Sequence, residues 1–412
     1  MKIVHINTVC STSVGNIMGN IQRIANKKGI ETLTIYGRRK GYRDLPCIKV
    51  GNGIDFWMHV ILTTITDRHG LGSRFMTRRI VRVLRKEHPD IIHLHNIHGY
   101  YLNYPILFDF LKNEYKGKIF WTLHDCWAFT GHCAYYTAAN CNKWKDNCNC
   151  CAEKGEYPIS WFLDASSYNY NNKKKNFTGL QNLTLIVPSQ WLQKQVIESF
   201  LKEYPIKIVS NGIDLQLFKP IHKDAIRNKY KIPSDKKILL GVAMYWTKRK
   251  GLEDFLNLAS LLDRKYVIVL VGVSARQKKN FPSNIIGIER TEDISELVAL
   301  YSNAHIFINP SIEETFSMVT IEAMACGTPV IALDTSAVCE LITEETGIIV
   351  HRIIGEKDAT RDYKNAISII EKRIESGMIS EKSLTEHAKR YSAKMQAEDM
   401  IELYRSDNKS KS

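Results

Sequence analysis

Residues 306–330 decide the fold of the second half of this 412-residue chain, and their sequence is IFINPSIEETFSMVTIEAMACGTPV. The segment opens with Ile306–Ile308, a short apolar run typical of a buried strand. Pro310 keeps the next residues out of a helix, and Ser317 is a suitable N-cap. Gly327, with a proline two residues later, stops a helix. We therefore predict a strand, a loop and a helix in that order.

Two carboxylates lie on either side of the predicted helix start. Glu314 is in the loop, and Glu322 is about one turn inside the helix. Open α/β sheets bind ligands where the carboxyl end of a strand leads into a helix, and the amides there suit phosphate or sugar oxygens. We predict such a site, with Glu322 accepting hydrogen bonds from a ribose diol. The other interpretation is two ordinary surface glutamates near a helix start. The amides predicted to contact the ligand are those of Phe316, Ser317, Met318 and Val319.

The same alternation of apolar runs with polar or helical stretches recurs along the chain. Short apolar runs between turn residues suit strands that are buried on both faces, and alternation with helices gives parallel sheets. We predict an α/β protein with two doubly wound domains. The other predicted strands are Ile3–Ile6, Thr32–Tyr36, Ile91–Leu94, Ile119–Leu123, Leu185–Val187, Ile238–Val242, Val267–Val271, Val330–Leu333 and Ile348–Val350.

The domain boundary is predicted near Pro205–Pro220, where an Asn-Gly pair marks a turn. The first domain is expected to span residues 1–205 and the second residues 206–390. Residues 391–412 form a C-terminal helix and tail. Apolar spacing predicts one helix over Ser383–Tyr404, followed by the polar tail Ser406–Ser412.

Composition and charge restrict the class of protein. The chain is 44% hydrophobic and 24% charged, as soluble globular proteins are. Its N-terminal apolar run is too short for a signal peptide and no run suits a membrane helix, so we expect a cytoplasmic protein. The net charge is +14, and residues 1–100 hold 16 Lys and Arg against 6 Asp and Glu. This asymmetry indicates an anionic partner.

Part of this charge lies on a predicted amphipathic helix around Arg78–Lys86. Such a helix can lie on an anionic membrane surface, so peripheral contact at the inner face of a membrane is one expectation. A solvated helix face is the other. No nucleic-acid recognition module accompanies the charge, and we expect no nucleic-acid partner.

The two glutamates stand in a longer pattern. They are separated by seven residues, a Phe follows the first by two, and AMACGTPV follows the second. This pattern resembles the donor-site signature of retaining glycosyltransferase family 4. Residues 188–192 (PSQWL) and 211–220 (NGIDLQLFKP) resemble the family's interdomain segments, and Lys250-Gly251 resembles its Lys-Gly pair.

The resemblance implies a fold and an activity. The fold is GT-B, with two Rossmann-like domains facing a cleft and a C-terminal helix that crosses back to the first domain. The activity is metal-independent transfer of a sugar from a UDP- or GDP-linked donor to a glycan acceptor, with retention of configuration. Lys250 would contact the diphosphate, Glu322 the ribose and Glu314 the transferred sugar. The implied acceptor is a lipid-diphosphate-linked glycan in the assembly of a cell-surface polysaccharide such as an exopolysaccharide.

The sequence departs from the family at one cationic position. The family has an Arg five residues before the lysine, and here that position is Tyr245. A diphosphate leaving group without a metal needs two cationic donors. We therefore expect Arg249 or Lys248 to supply the second charge, although a solvated basic turn is the alternative.

The resemblance also assigns two residues of the first domain. His124 follows the strand Ile119–Leu123, and the family has a His in this context near the donor sugar and the acceptor. Gly15 takes the place of the family's glycine-rich first loop, where backbone approaches the phosphate or the acceptor. The usual Gly-Gly pair is absent.

Six of the ten cysteines lie between His124 and Cys151. Disulfides are not expected in a cytoplasmic chain. Cys148 and Cys151 have the spacing of a metal-binding pair, and Cys133 and Cys141 complete a hypothetical structural zinc site. Unpaired thiols in a loop are the alternative. The segment, about residues 124–151, resembles an insertion in the colanic-acid-type branch of the family.

Two other functions remain open from the sequence. A nucleotide-sugar epimerase on the same two-domain architecture would need no acceptor. A zinc-containing nucleic-acid-binding protein would account for the basic charge and the cysteines. The second alternative leaves the second half of the chain unexplained.

Overall fold

The computed structural model describes residues 1–221, 225–351 and 360–406. The chain divides into two compact units. The first unit is Met1–Ser210 together with Ala393–Ser412, and the second is Asn211–Ser392. The predicted polar tail, from residue 407 onward, lies outside the described residues.

The first unit is built on a seven-stranded parallel sheet. Its strands are β1 (Lys2–Val9), β2 (Glu31–Arg38), β3 (Cys47–Lys49), β4 (Ile91–Leu94), β5 (Lys118–Thr122), β6 (Leu183–Val187) and β7 (Ile206–Ile208). Its helices are α1 (Thr12–Lys27), α2 (Gly53–Thr66), α3 (Arg74–Glu87), α4 (Tyr104–Asn113), α5 (Ser166–Phe177) and α6 (Gln190–Ile197). The strand order is β3-β2-β1-β4-β5-β6-β7. All four residues of β4 are buried, as expected for a strand in the middle of a parallel sheet.

The second unit is built on a six-stranded parallel sheet. Its strands are β8 (Lys237–Val242), β9 (Tyr266–Val271), β10 (Ile285–Ile288), β11 (Ile306–Asn309), β12 (Val330–Leu333) and β13 (Gly347–Val350). Its helices are α7 (Ala225–Lys229), α8 (Leu252–Leu261), α9 (Ala275–Lys278), α10 (Ile294–Asn303), α11 (Met318–Ala325), α12 (Thr360–Glu375) and α13 (Glu381–Lys389). The strand order is β10-β9-β8-β11-β12-β13.

Both sheets have the doubly wound order of a Rossmann-like domain, which confirms the predicted α/β class. The order reverses between β1 and β4 in the first sheet and between β8 and β11 in the second. At such a switch point the loops after two neighbouring strands diverge and leave room for a ligand. Each unit therefore has one defined position for a binding site.

All the predicted strands overlap observed ones, but three observed strands were not predicted. These are β3, β7 and β10, and each lies at the edge of its sheet. An edge strand pairs on one side only. None of the residues of β3 and β7 is buried, so their apolar pattern is weak. Strand β10 buries three of its four residues, but Gly287 interrupts its apolar run.

The prediction of one helix over Ser383–Tyr404 is wrong. The chain ends α13 at Lys389 and begins a new helix, α14 (Ala393–Arg405). The break is fixed by pairing with Ile213, whose amide donates to the carbonyl of Tyr391 at 2.8 Å. Helix α14 belongs to the first unit, where the Tyr404 hydroxyl lies 2.5 Å from Nδ1 of His93 on β4. The C-terminal helix thus returns to the first unit.

Among the described residues, we find no helix with both the length and the apolar character needed to cross a bilayer.

Candidate functional site

The switch point of the second sheet brings a lysine and a glutamate together. A short 3-10 helix, Lys248–Lys250, follows β8, and the loop after β11 contains Glu314. Since β8 and β11 are paired, both segments leave the same edge of the sheet. Nζ of Lys250 forms an ion pair with Oε1 of Glu314, and these side chains are 22% and 12% exposed. Two residues 64 positions apart thus form one charged pair at the carboxyl edge of the sheet.

Backbone contacts hold the two segments against each other. Nη1 of Arg249 donates to the carbonyl of Glu313 at 2.8 Å, and the amide of Ile312 donates to the carbonyl of Arg249 at 2.9 Å. Gly251 has a φ of +75°, and a Cβ there would lie 2.6 Å from the carbonyl oxygen of Pro310. Only glycine fits this position. Arg249 therefore braces the loop that carries Glu314, and its role as a second cation stays a prediction.

Helix α11 begins at Met318, between the two glutamates as predicted, and Ser317 is its N-cap. The Ser317 hydroxyl accepts from Nδ2 of Asn309 and from the Thr320 hydroxyl, each at 2.9 Å. These bonds tie the helix start to the end of β11. The first amides of a helix have no partner within the helix, so they are available to a ligand or to water. The Phe316 side chain is buried, so only its backbone suits the predicted contact.

Glu322 lies in the middle of α11 and is partly buried. Its Oε2 accepts a hydrogen bond from the Tyr301 hydroxyl at 3.1 Å. Burial raises the pKa of Glu322 to about 7, and the bond from Tyr301 opposes this shift. The carboxyl is therefore close to half protonated near neutral pH. A donor hydrogen-bonding to its charged form would shift this balance.

His124 follows the carboxyl end of β5, and its imidazole belongs to a row of histidine rings. Its Nε2 lies 3.2 Å from Nδ1 of His95, and Nε2 of His95 lies 3.2 Å from Nδ1 of His5. Burial lowers the pKa of His124 to about 4, so the ring is neutral at physiological pH. A small cavity of about 10 Å³ beside His95, His98, His124 and Asp125 is large enough for about one water molecule.

His5 and His95 were not singled out from the sequence. The sequence did indicate this cluster. His93 on β4 and His95 just after it are two residues apart, and β4 lies next to β1, which carries His5. Among the described residues, His5, His93 and His95 form the group whose ligand atoms lie within 4.8 Å of one another. Both nitrogens of His93 already have partners, the Tyr404 hydroxyl at 2.5 Å and the Thr122 hydroxyl at 2.7 Å.

The placement of Gly15 in a loop is wrong. Gly15 lies inside α1, in its first turns. A Cβ at this position would meet the carbonyl carbon of Cys10 at 2.4 Å, so the glycine lets α1 approach the end of β1. The missing side chain thus makes room for the protein's own backbone.

The four cysteines of the hypothetical zinc site are differently placed. Cys133 and Cys148 are buried, whereas Cys141 and Cys151 are partly exposed. A hydrogen bond from Cys133 lowers the pKa of Cys151, and the same contact with burial raises the pKa of Cys133. The Cys148 sulfur accepts from the amide of Gly131 at 3.2 Å. The donor chemistry suits zinc, but these sulfurs are not gathered as closely as the three histidines.

Polar contacts fix the cysteine-containing insertion to the rest of the first unit. Asp67 and His132 form a fully buried pair, and Asp67 also accepts from the amide of Ala165 at 2.8 Å. Lys173 on α5 donates to the carbonyls of Trp127 at 2.6 Å and Thr130 at 3.0 Å. Burial lowers the pKa of Lys173 to about 7. Neither Asp67 nor Lys173 was predicted to matter.

Two Rossmann-like units, each with a switch point at its sheet edge, define the GT-B class of fold. The crystal structure of Anabaena Alr3699/HepE in complex with UDP agrees. It superposes with a TM-score of 0.66 at 14% identity, over 98% of this chain and 99% of that chain.

Two family models match different parts of the chain. Residues 54–217 match the model described as Glycosyltransferase Family 4, and residues 236–370 match the model described as Glycosyl transferases group 1. The chain therefore carries a glycosyltransferase family 4 domain followed by a glycosyl transferases group 1 domain.

Curated relatives match part or all of the chain. The D-inositol 3-phosphate glycosyltransferase of Saccharomonospora viridis is 24% identical over 48% of this chain and 50% of that protein. The chain thus spans about half the length of that relative. The Escherichia coli protein described as "Putative colanic acid biosynthesis glycosyl transferase WcaC" is 22% identical over 98% of this chain and 99% of its own length.

Proposed function

We propose that this protein transfers a sugar from a nucleotide-sugar donor to a hydroxyl of a glycan acceptor, with retention of the anomeric configuration. The observation that carries the proposal is the contact between Lys250 and Glu314 at the switch point of the second sheet. It places a cation suited to a diphosphate beside a carboxylate suited to a sugar. The UDP in the HepE structure supports a UDP-linked donor, with a GDP-linked donor as the alternative.

Donor binding would reorganise this pair. In the proposed complex the diphosphate replaces Glu314 as the partner of Lys250, and Glu314 turns to the transferred sugar. The amides at the start of α11, from Phe316 to Val319, donate to phosphate or sugar oxygens. Glu322 accepts hydrogen bonds from the ribose, which favours its charged form. Arg249 or Lys248 supplies the second positive charge.

The chemistry proposed needs no metal ion. The bond between the anomeric carbon and the leaving phosphate oxygen breaks, and the acceptor oxygen bonds to that carbon from the same face. The acceptor proton passes to the departing diphosphate. Glu314 stabilises the positive charge that develops on the sugar, without a covalent adduct. Burial lowers the pKa of His124 to about 4, which makes its ring a weak base, so His124 acts as a hydrogen-bonding group.

The acceptor proposed is a lipid-diphosphate-linked glycan in the assembly of a cell-surface polysaccharide. The description of the relative WcaC supports this pathway. A structural zinc ion held by Cys133, Cys141, Cys148 and Cys151 would stiffen the insertion of the first unit, and it takes no part in the transfer.

The experiment begins with thermal shifts of the full chain in the presence of UDP-, GDP-, ADP- and CMP-linked sugars. The stabilising donor is then incubated with and without a lipid-diphosphate-linked acceptor, and the product anomer is assigned by proton NMR. We expect Glu314→Ala and Lys250→Ala to abolish transfer, and Lys278→Ala, at an exposed lysine of the same unit, to leave it unchanged.

Three outcomes would contradict parts of the proposal. Near-normal turnover in Glu314→Ala removes the site assignment. Inversion of the anomeric centre removes the retaining mechanism. Epimerised nucleotide sugar formed from the donor alone favours the epimerase instead.

A further inference from the structure

Helix α2 is amphipathic, but its apolar side faces solvent and its polar side faces the protein. Its exposed side carries Ile54, Trp57, Met58, Ile61 and Ile65, at the spacing that normally turns apolar side chains toward a core. These five side chains are 46% to 76% exposed. The side of α2 that faces the protein instead carries polar residues, described next. A helix with this pattern leaves its apolar face exposed.

The buried side of α2 is satisfied by specific hydrogen bonds. His59 lies with Nδ1 at 2.9 Å from the Ser73 hydroxyl, and its Nε2 accepts from the amides of Gly70 and Gly72 at 3.1 and 3.3 Å. Thr63 donates to the carbonyl of His59 at 2.9 Å. Buried polar groups are costly unless they are paired, and the bonds from His59 to the 70–73 segment hold α2 in its orientation. The outward direction of the apolar residues is therefore built into the fold.

A second apolar segment lies beside the end of α2. Trp161, Phe162 and Leu163 are consecutive, and their exposed fractions are 70%, 68% and 55%. The amide of Trp161 donates to the carbonyl of Thr64 on α2 at 2.9 Å, which joins the two segments. Exposed apolar residues scattered over a surface need no explanation, but a contiguous set marks an interaction site. We call these eight residues the α2 face: Ile54, Trp57, Met58, Ile61, Ile65, Trp161, Phe162 and Leu163.

Positive charge borders the α2 face. Arg74, the first residue of α3, lines the same groove of about 600 Å³ as Met58 and Ile61. From there α3 carries a run of exposed basic residues, with no acidic residue before its last position, Glu87. These residues are Arg74, Arg78, Arg79, Arg82 and Lys86, together with Arg85, which is paired with Glu114 at 2.8 Å. A cluster of four to eight Lys and Arg beside an amphipathic surface is typical of binding to anionic lipids.

We propose that the α2 face and the basic side of α3 bind the surface of an anionic lipid bilayer. The apolar side chains enter the headgroup region, and the arginines pair with lipid phosphates. Trp57 and Trp161 are well suited to this position, because indole rings favour the membrane interface. A lipid surface is favoured over a protein partner because the exposed charges of α3 before Glu87 are all positive, while Asp55, the acidic residue that lines the groove, accepts a hydrogen bond from the Ser73 hydroxyl. The inference goes beyond the transfer reaction, because it concerns where the protein is held.

The first test measures binding of the full chain to sedimented vesicles. We expect the protein to bind vesicles of equal parts phosphatidylcholine and phosphatidylglycerol, and to bind phosphatidylcholine vesicles weakly. The double variant Trp57→Ser/Ile61→Ser should lower the partition coefficient at least about tenfold, because apolar burial is lost. The matched control is Ile369→Ser/Met378→Ser, at two similarly exposed apolar positions of the second unit, and it should bind like the wild type.

A second pair of variants tests the basic residues of α3. Arg78→Glu/Arg79→Glu should weaken binding to the anionic vesicles about tenfold or more, since two attractions to the anionic surface become two repulsions. Lys372→Glu/Lys382→Glu makes the same charge change on exposed lysines of the second unit and should have little effect. Added salt should weaken binding of the wild type.

The second test asks which side chains enter the bilayer. Brominated lipids quench tryptophans that reach the acyl boundary. Among the seven tryptophans, Trp57 and Trp161 are more than half exposed. Trp57→Phe/Trp161→Phe keeps the face apolar, so binding should persist while quenching is lost.

Three results would overturn the proposal. One is equal binding to both kinds of vesicle. Another is quenching that persists in Trp57→Phe/Trp161→Phe. The third is a lipid-free dimer, seen by sedimentation velocity, that Trp57→Ser/Ile61→Ser dissociates, because the face would then be covered by a second copy.

Discussion

Glu322→Gln is expected to change how the stability of the second unit depends on pH. In the native chain, burial raises the pKa of Glu322 from 4.5 to about 7. Between about pH 4.5 and about pH 7 the native carboxyl therefore holds a proton that the unfolded chain releases. Folding stability should fall as the pH rises through this window, and the loss is complete above about pH 7.

The size of the effect follows from the two pKa values. At 1.36 kcal/mol per pH unit, they correspond to about 3 kcal/mol in total, of which about 2.5 kcal/mol develops between about pH 5 and about pH 8. Glutamine has nearly the same shape, carries no charge, and keeps a carbonyl acceptor for the Tyr301 hydroxyl. The free energy of unfolding of Glu322→Gln, relative to the wild type, should rise by about 2.5 kcal/mol over this range.

The assay must report on the second unit alone, because a chain with two units need not unfold in one step. Urea titrations at several pH values, read by hydrogen exchange of peptides that cover β11 and α11, meet this need. Glu375→Gln removes an exposed carboxylate of the same unit and serves as the matched control. Parallel pH profiles for wild type and Glu322→Gln would refute the reasoning, because Glu322 would then be charged in the native state.

Four further predictions concern individual residues. Lys250→Ala should weaken UDP binding about tenfold to a hundredfold by calorimetry, the loss expected for a charge-assisted hydrogen bond, while Lys278→Ala should not. Gly251→Ala should lower the free energy of unfolding by about 2–4 kcal/mol, against about 1 kcal/mol for Gly179→Ala, which has a positive φ but open space around it. The His124 ring should stay neutral above about pH 5 in an NMR titration, because burial lowers its pKa to about 4. Purified protein should contain about one zinc ion per chain by mass spectrometry, and Cys148→Ser should lose it.

Each of these predictions has a contradicting result. Unchanged UDP affinity in Lys250→Ala would show that the lysine does not meet the diphosphate. Equal losses in the two glycine variants would show that the approach of Pro310 is unimportant. A His124 titration near neutral pH would restore the possibility of base catalysis. Metal-free protein with normal stability would remove the zinc site.

The sequence by itself determined the central strands and the helix start of the candidate site. These features depend on local properties: an apolar run such as Ile306–Ile308, a cap such as Ser317 and a stop such as Gly327 act over a few residues. Edge strands such as β7 carry too few buried side chains to give the same signal. The break between α13 and α14 was missed because it depends on pairing with Ile213, far away in the chain.

Only the tertiary structure decided the contacts and the charge states. Lys250 meets Glu314 because β8 and β11 are neighbours in a sheet whose order no local pattern reveals. The row of His5, His95 and His124 depends on strand order in the same way. The pKa of Glu322 depends on how much water the fold removes from it. The apolar pattern is a property of the sequence itself. The burial of a side chain and its distance from other residues are set only when distant segments of the chain pack together.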